Sequence, residues 1–417
     1  MFSDNEVQDL RKRNYNKIKE LIRISLGLGV NLTSSSIIKD SLKIINLLLV
    51  ICSAVSMYGH WCYTRRYFDD ISKIAESICT GLQTIISMIK MIYFLFIQRK
   101  LYVLLDQAQT HEIIRKSEIF QKDKDFPISG KLKKIIHNIM ELSWKNIRHQ
   151  LIFYICCCAG IISNYFFSAL FVNLYHQIKR TPNYKHVLPY PSVYPIWESK
   201  GMSFPYYHLQ MFLNGCATYI AGMCAVSFDG VFIVLCVHGV GLIQVLIVMI
   251  EKSTSPDVPK KKRVEYLRQC IFQCQRTFDY LQSISEIYKQ ISLSQFLLSL
   301  ITWGIVLFQM SVGLESDKIT LVRMVLYLSA AGYEIVLYCY NSQRLTTECE
   351  KIPLALYSCE WYNESAEFKQ LIHFMILRTN RVFSLNISWF MTMSLPTLLV
   401  MTKTSGSYFL LLKNLAE

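Results

Sequence analysis

Residues Met211–Ile250 read MFLNGCATYIAGMCAVSFDGVFIVLCVHGVGLIQVLIVMI, with Asp229 as the only formally charged side chain. The hydrocarbon core of a bilayer is crossed by about twenty apolar residues in a helix. This stretch is long enough to cross and then leave the bilayer at one end. Asp229 stands mid-helix in Ser227–Phe228–Asp229–Gly230. A carboxylate is costly in hydrocarbon, so the residue is expected to face the protein interior.

Six other stretches share this character. They run Leu42–Trp61, Ile71–Ile97, Leu151–Tyr175, Ile291–Val312, Leu321–Tyr340 and Leu395–Leu412. With Met211–Ile250 in fourth place, the reading is an all-α membrane protein with seven transmembrane helices. Pro396 falls in the first turn of the last one, where its missing N–H has no intrahelical partner to lose.

The composition agrees. The chain has 417 residues, of which 52% are hydrophobic and 18% charged, and its mean hydropathy is +0.27. A soluble chain carries about a quarter charged residues. The net charge of +14 does not point to nucleic acid, because the cations sit in blocks between membrane-length segments, as in loops facing an anionic leaflet. Of the 14 cysteines, Cys52, Cys79, Cys156, Cys157, Cys158, Cys216, Cys224, Cys236 and Cys339 lie within apolar runs and read as small hydrophobes. Cys270 and Cys274 have helical spacing but no second ligand pair nearby, so no metal site is expected. The first thirty or so residues open with Asp4 and Glu6 and carry Arg11, Lys12, Arg13, Lys17 and Lys19, where a signal peptide would need an apolar core.

Orientation follows from the cations. They collect in the N-terminal segment, between spans two and three (Arg99 to Lys145), after span four (Lys252, Lys260, Lys261, Lys262, Arg263, Arg268), and before span seven (Arg344, Lys351, Lys369, Arg378, Arg381). These regions share one side only if the N-terminus is cytoplasmic and the C-terminus extracellular, the inverse of a G-protein-coupled receptor. The opposite loops include a Pro- and Tyr-rich one from about Lys179 to Tyr207. The sequons at Asn31, Asn363 and Asn386 fall on the cytoplasmic side or near the membrane and are expected to stay unglycosylated. Before span five, Val264, Leu267, Ile271, Cys274, Phe278 and Leu281 repeat on one helical face. They predict a helix that continues span five into the cytoplasm as an anchor extension, packing on its neighbours or on another subunit.

Catalytic patterns are absent: there is no Gly-rich phosphate loop, no His-Glu-x-x-His and no Gly-x-Ser-x-Gly. No enzyme activity, cofactor or metal is expected. Three acids lie at membrane depth. Glu76 is near an outer span end and reads as snorkelling. Asp229 and Glu334 read either as gating polar contacts or as helix-pairing groups. The outer halves of spans three, four and six are rich in aromatic and small residues: Ser163, Asn164, Tyr165, Phe166, Phe167 and Ser168; Met211, Asn214, Gly215, Thr218 and Tyr219; Met324, Tyr327, Leu328 and Ala331. Such walls suit a small, mostly apolar ligand, although ordinary packing accounts for any one residue.

The C-terminal third carries a resemblance. Leu337–Leu345 (LYCYNSQRL), Leu354–Tyr362 (LALYSCEWY), Met393–Thr397 (MSLPT) and Lys403–Lys413 (KTSGSYFLLLK) resemble the tail of insect odorant receptors, as do Phe228–Gly230 and Val237–His238. Gly406 departs from the Tyr that many members carry. The related gustatory receptors end in a Gln-Phe pair that this tail lacks. The resemblance implies an odorant-gated, non-selective cation channel in the plasma membrane of sensory neurons, a tuning subunit joined to a co-receptor in a tetramer. Ser407 and Tyr408 would lie on the pore helix, and Leu411 and Leu415 would form a hydrophobic gate. The ligand pocket would draw on Ile78 and Leu82, on Ser163, Tyr165, Phe166 and Phe167, on Met211, Gly215 and Tyr219, and on Tyr327 and Ala331. The chain then divides into a cytoplasmic segment (1–41), a ligand-binding bundle (42–340), a cytoplasmic anchor (341–394) and the pore-lining helix (395–417). A gustatory-type or homomeric ligand-gated channel is the alternative. A secondary transporter would need inverted repeats and broken helices, which the sequence lacks.

Overall fold

The computed structural model describes residues 4–33, 40–121, 128–179, 186–196, 203–316, 318–389 and 391–416. Among them the regular structure is helical: α1 (Asp4–Lys17), α2 (Lys19–Gly27), α3 (Asp40–Arg66), α4 (Ile71–Gln109), α5 (Glu112–Arg115), α6 (Glu118–Gln121), α7 (Ser129–Ile178), α8 (Tyr206–Glu251), α9 (Arg263–Ser316), α10 (Lys318–Ser358), α11 (Ala366–Thr379) and α12 (Leu395–Ala416). Two ends show the local chemistry that sets them. Asp70 caps α4 by accepting the Lys73 N–H, and Ser365 caps α11 by accepting that of Phe368.

Helix α8 is the axis of the bundle. Its most apolar window is 83% buried, and it packs against α2, α3, α4, α7, α9 and α10. A helix that is apolar all round must be enclosed, and the other helices enclose it. Five helices (α3, α4, α7, α8 and α9) are long and apolar enough to cross a membrane, judged on the described residues. The sixth and seventh expected spans fall on α10 and α12, 41 and 22 residues long. Both carry polar side chains within their length: α10 has Glu334 and Asn341, and α12 has Thr402, Lys403, Thr404 and Ser407.

Two segments are more built-in than their charge suggests. Helices α1 and α2 are part of the bundle. Lys17 pairs with Glu141 of α7 at 2.9 Å, and Asn14 donates to the Gln109 carbonyl at 2.9 Å. Leu21 of α2 occupies the space beside Gly230, where a Cβ would come within 2.6 Å of its Cδ1, and the Ser25 and Ser227 hydroxyls lie 2.6 Å apart. The turn after α2 passes through Gly29 at φ +76°, where a Cβ would be 2.2 Å from the Leu42 carbonyl oxygen, so only glycine fits. At the other extreme, α9 runs without a break from the segment after α8 into span five. Leu267, Cys274 and Leu281 are buried, with Val264, Ile271 and Phe278 packed against that core. Helix α11 closes this end through Phe368, Ile372, Met375 and Thr379.

Candidate functional site

Between α4, α7, α8 and α10 lies a cavity of about 130 Å³. Its room comes from α8, which contributes Ala217, Thr218, Ala221, Gly222 and Ala225. Small residues at this spacing keep one face of the helix low. At Gly222 the approach is closest: a Cβ there would be 2.2 Å from Ile162 Cδ1. Helix α4 adds Thr80, Gln83 and Thr84, and α7 adds Tyr154, Cys157, Cys158, Ile161, Ile162 and Tyr165. Helix α10 adds Tyr327, Ala330, Ala331, Tyr333 and Glu334. The wall is mostly apolar and aromatic with a few polar groups, the usual make-up of a small-molecule site.

At one end of the cavity the segment 186–196 contributes to the wall through Tyr190. Tyr190 lines the cavity, its hydroxyl 2.9 Å from that of Ser56 and its ring stacked on His60 at 4.8 Å. The segment is tied down from α8. Asn214 donates to the Tyr190 carbonyl at 3.2 Å, and Gln210 donates to the Ser192 carbonyl at 2.6 Å. Asn173 of α7 exchanges two 2.7 Å hydrogen bonds with the backbone of Val187. A Pro- and Tyr-rich stretch thus serves as a cap.

The other end rests on an ion cluster. Lys90 of α4 is 1% exposed, and its Nζ donates to both Asp229 oxygens at 2.9 and 3.0 Å and to Glu334 Oε1 at 2.6 Å. Tyr154 and Tyr338 add hydroxyl donors to Asp229 at 2.8 and 2.5 Å. Asp229 and Glu334 therefore share one partner and join α4, α7, α8 and α10. Such burial is tolerable only because the charges meet and are hydrogen-bonded.

The residues singled out in the sequence divide by helical phase. Tyr165, Tyr327 and Ala331 line the cavity. Ile78 and Leu82 are half-buried on α4, roughly half a turn away from the Thr80–Gln83–Thr84 face. Phe166 packs on Gly215, where a Cβ would lie 2.8 Å from its ring, and joins Met211, Ala169 and Tyr207 in a separate apolar cluster. Tyr219 and Phe167 are about half exposed, and Ser163 lies with Phe167 in a shallow outward depression. On α12, Ser407, Tyr408 and Leu411 are exposed on the single chain, while Ser405 and Met401 are buried on a helix that packs on α9 and α10. The Leu415 side chain lies outside the described residues. Lys90 and Tyr190 were not picked out from sequence. Lys90 had a signal, a lone cation within an apolar span. Tyr190 had none, because only the fold brings it against Ser56 and His60, more than a hundred positions earlier.

The chain is also similar to known proteins. The family model described as 7tm odorant receptor matches residues 70–406. The chain is 48% identical to Odorant receptor 63a of Drosophila melanogaster over 419 aligned positions, covering 100% of both chains. It is 26% identical to Odorant receptor 67b of the same organism, covering 98% of this chain and 99% of that one. The solved structure of the insect olfactory receptor OR5 from Machilis hrabei in complex with eugenol shares the fold, with a TM-score of 0.77 at 16% identity, covering 98% of this chain and 100% of that one. A helical bundle around a capped cavity, full-length relatives and a matching family model lead to one conclusion: the chain belongs to the 7tm odorant receptor family of insects.

Proposed function

We propose that the chain is an odorant-gated, non-selective cation channel subunit in which a small volatile binds the α4–α7–α8–α10 cavity and opens a pore lined by α12. The family is one of ligand-gated cation channels, not of enzymes, and the chain is a multi-pass membrane protein. The observation that carries the finer reading is the path of α10. It supplies Tyr327, Ala331 and Glu334 to the cavity and also packs on α12. The same-fold receptor from Machilis hrabei binds eugenol, which supports a small organic ligand here.

In this reading the N-terminus is cytoplasmic and the capped end of the cavity faces outside. The division into a cytoplasmic segment (1–41), ligand-binding bundle (42–340), anchor (341–394) and pore helix (395–417) follows. Four copies, this subunit with a co-receptor, bring α12 together in the plasma membrane of sensory neurons. The face of α12 left exposed mixes Lys403 and Ser407 with Leu410 and Leu411. That mixture suits a pore that is wet along part of its length and closed by apolar rings at Leu411 and Leu415. A ligand opens it only as far as it binds the open arrangement better than the closed one.

Whole-cell current from cells expressing the chain, with and without an insect odorant co-receptor, tests this under a broad volatile panel. Volatile-evoked cation current only with the partner is expected. Current from the chain alone would make it a homomeric channel, and silence in both conditions at normal surface delivery would contradict the ligand-gated reading.

A further inference from the structure

Away from the cavity, α4 and α9 meet where the Tyr93 hydroxyl donates to the Ile287 carbonyl at 2.7 Å. Beside this contact the two helices line an open groove of about 850 Å³, to which α5 adds Glu112 and Ile113. The groove lies where spans two and five are expected to end, at Ile97 and Ile291. Tyr93, Phe96, Ile97 and Ile287 form its apolar part, and Phe96 is 80% exposed there. Past Ile97 the α4 wall turns to charge with Arg99 and Lys100. An aromatic, apolar zone that gives way to charge suits the boundary between bilayer and water.

The charges are divided between the two walls. Arg99 and Lys100 stand exposed on α4, and Asp279 and Glu286 stand exposed on α9. Among the described residues neither cation meets a carboxylate, and the Asp279 carboxylate has no partner. Glu286 accepts only the Gln282 amide of its own helix, at 3.4 Å. The other charges of the groove are engaged: Lys116 pairs with Glu112 at 2.5 Å, and Arg276 donates to the Lys116 carbonyl at 2.9 Å. Two walls of opposite sign that do not meet are complementary to a ligand carrying both signs. A purely anionic ligand would face the acids of α9, and a purely cationic one the cations of α4.

We propose that this groove seats a phospholipid whose headgroup bears a phosphate and a primary ammonium, as in phosphatidylethanolamine. Arg99 and Lys100 hold the phosphate, Asp279 and Glu286 accept from the ammonium, and the acyl chains run past Phe96 into the bilayer. Such charge-assisted hydrogen bonds are the stronger kind, and charged pockets between spanning helices are known seats for headgroups. A quaternary ammonium has no N–H to give, so phosphatidylcholine satisfies the phosphate half alone. The seated lipid joins α4, which carries Thr80 and Gln83 of the cavity, to α9, on which α12 packs. The site is independent of which molecule fills that cavity.

The test uses the receptor with an insect odorant co-receptor in phosphatidylcholine vesicles doped with a phosphatidylethanolamine that carries a photoactivatable group near its glycerol. Adducts are mapped by peptide, and unlabelled lipids of identical acyl chains compete. Labels are expected in the 93–107 and 276–290 stretches of this chain. Unlabelled phosphatidylethanolamine is expected to compete at roughly tenfold lower mole fraction than phosphatidylglycerol, which has the phosphate without the ammonium. The double variant Arg99→Gln/Lys100→Gln is expected to lose most of the labelling. In Asp279→Asn/Glu286→Gln, phosphatidylglycerol is expected to compete as well as phosphatidylethanolamine. All four side chains are exposed, so both variants are expected to fold. Adducts spread evenly over the chain, or equal competition by the two lipids in the wild type, would overturn the proposal. Loss of labelling together with loss of the assembly on native gels would assign the groove to a neighbouring subunit and overturn it as well.

Discussion

Lys90 Nζ lies 2.6 Å from Glu334 Oε1, so a lysine in the middle of one apolar helix holds the carboxylate that lines the cavity from another. Lys90 is also the only cation that reaches Asp229 among the described residues. The bundle has one ammonium serving two acids, and several consequences follow from that count.

Replacing Lys90 by Met leaves two buried acids without a counter-charge. Removing one partner of a buried ion pair costs about 3–5 kcal/mol, enough to unfold a marginally stable protein. Surface biotinylation of Lys90→Met is expected to show little delivered receptor. Adding Asp229→Asn and Glu334→Gln to the same chain removes the stranded charges and is expected to restore most of it. A Lys90→Met single variant with normal delivery and thermal stability would show that the cluster is dispensable.

The cap is held by few bonds, so it can be loosened selectively. Asn214→Ala removes the donor to the Tyr190 carbonyl and the contacts to Ser192, leaving buried groups unpaired at a cost of about 1–3 kcal/mol. Current decay after ligand washout is expected to quicken, by up to roughly tenfold if half of that falls on the bound state. Tyr190→Phe, which loses only the 2.9 Å bond to Ser56, is expected to give the smaller effect. Unchanged washout in both variants would place ligand exit elsewhere.

The proposed α12 gate is tested by basal current. Leu411→Ala and Leu415→Ala are expected to raise leak current severalfold in unstimulated cells, because a smaller apolar ring dewets less readily. Unaltered basal and evoked currents at normal expression would remove both from the gate.

Beside helix α1, His111 accepts the Trp144 indole N–H at 2.9 Å. Its pKa is held well below the ordinary imidazole value, first by burial and then by the neighbouring His238, Arg13, His137 and Lys17. The sign follows: the unfolded chain takes up a proton near pH 6.5 while the folded one resists it. The stability from neutral His111 is therefore complete above about pH 6.5 and falls away as pH drops below that. Melting temperature of the purified receptor is expected to decline between pH 7 and pH 5, and less steeply in His111→Gln.

What the sequence disclosed followed from period and length. Met211–Ile250 is apolar on every face, which forces a central helix, and Asp229 within it had to find a partner indoors. The repeat from Val264 to Leu281 announced a helix running on into span five, and α9 does so. The cavity was only partly legible, because choosing a lining residue requires helical phase. Helix α4 is apolar nearly all round, so nothing in its pattern separates Thr80, Gln83 and Thr84 from Ile78 and Leu82. On α7, Tyr165 reaches the cavity while Phe167, two residues on, faces out, a distinction made by the crossing with α8 at Gly222. The seat of Tyr190 and the Lys90 cluster join residues more than a hundred positions apart (Ser56 with Tyr190, Lys90 with Asp229 and Glu334). No local pattern encodes such meetings.

On the proposed function a ligand in this cavity opens the channel, and one substitution addresses that directly. Ala331 lines the cavity on α10, and Ala331→Phe puts a ring into the space a ligand would take. The measurement is the concentration–response curve for an effective volatile in cells expressing wild type or Ala331→Phe with the co-receptor, at matched surface density. A shift of tenfold or more to higher concentration, or loss of response with basal current intact, is expected. An unshifted curve in a variant delivered normally would mean that the volatile acts elsewhere and that the cavity is not its site.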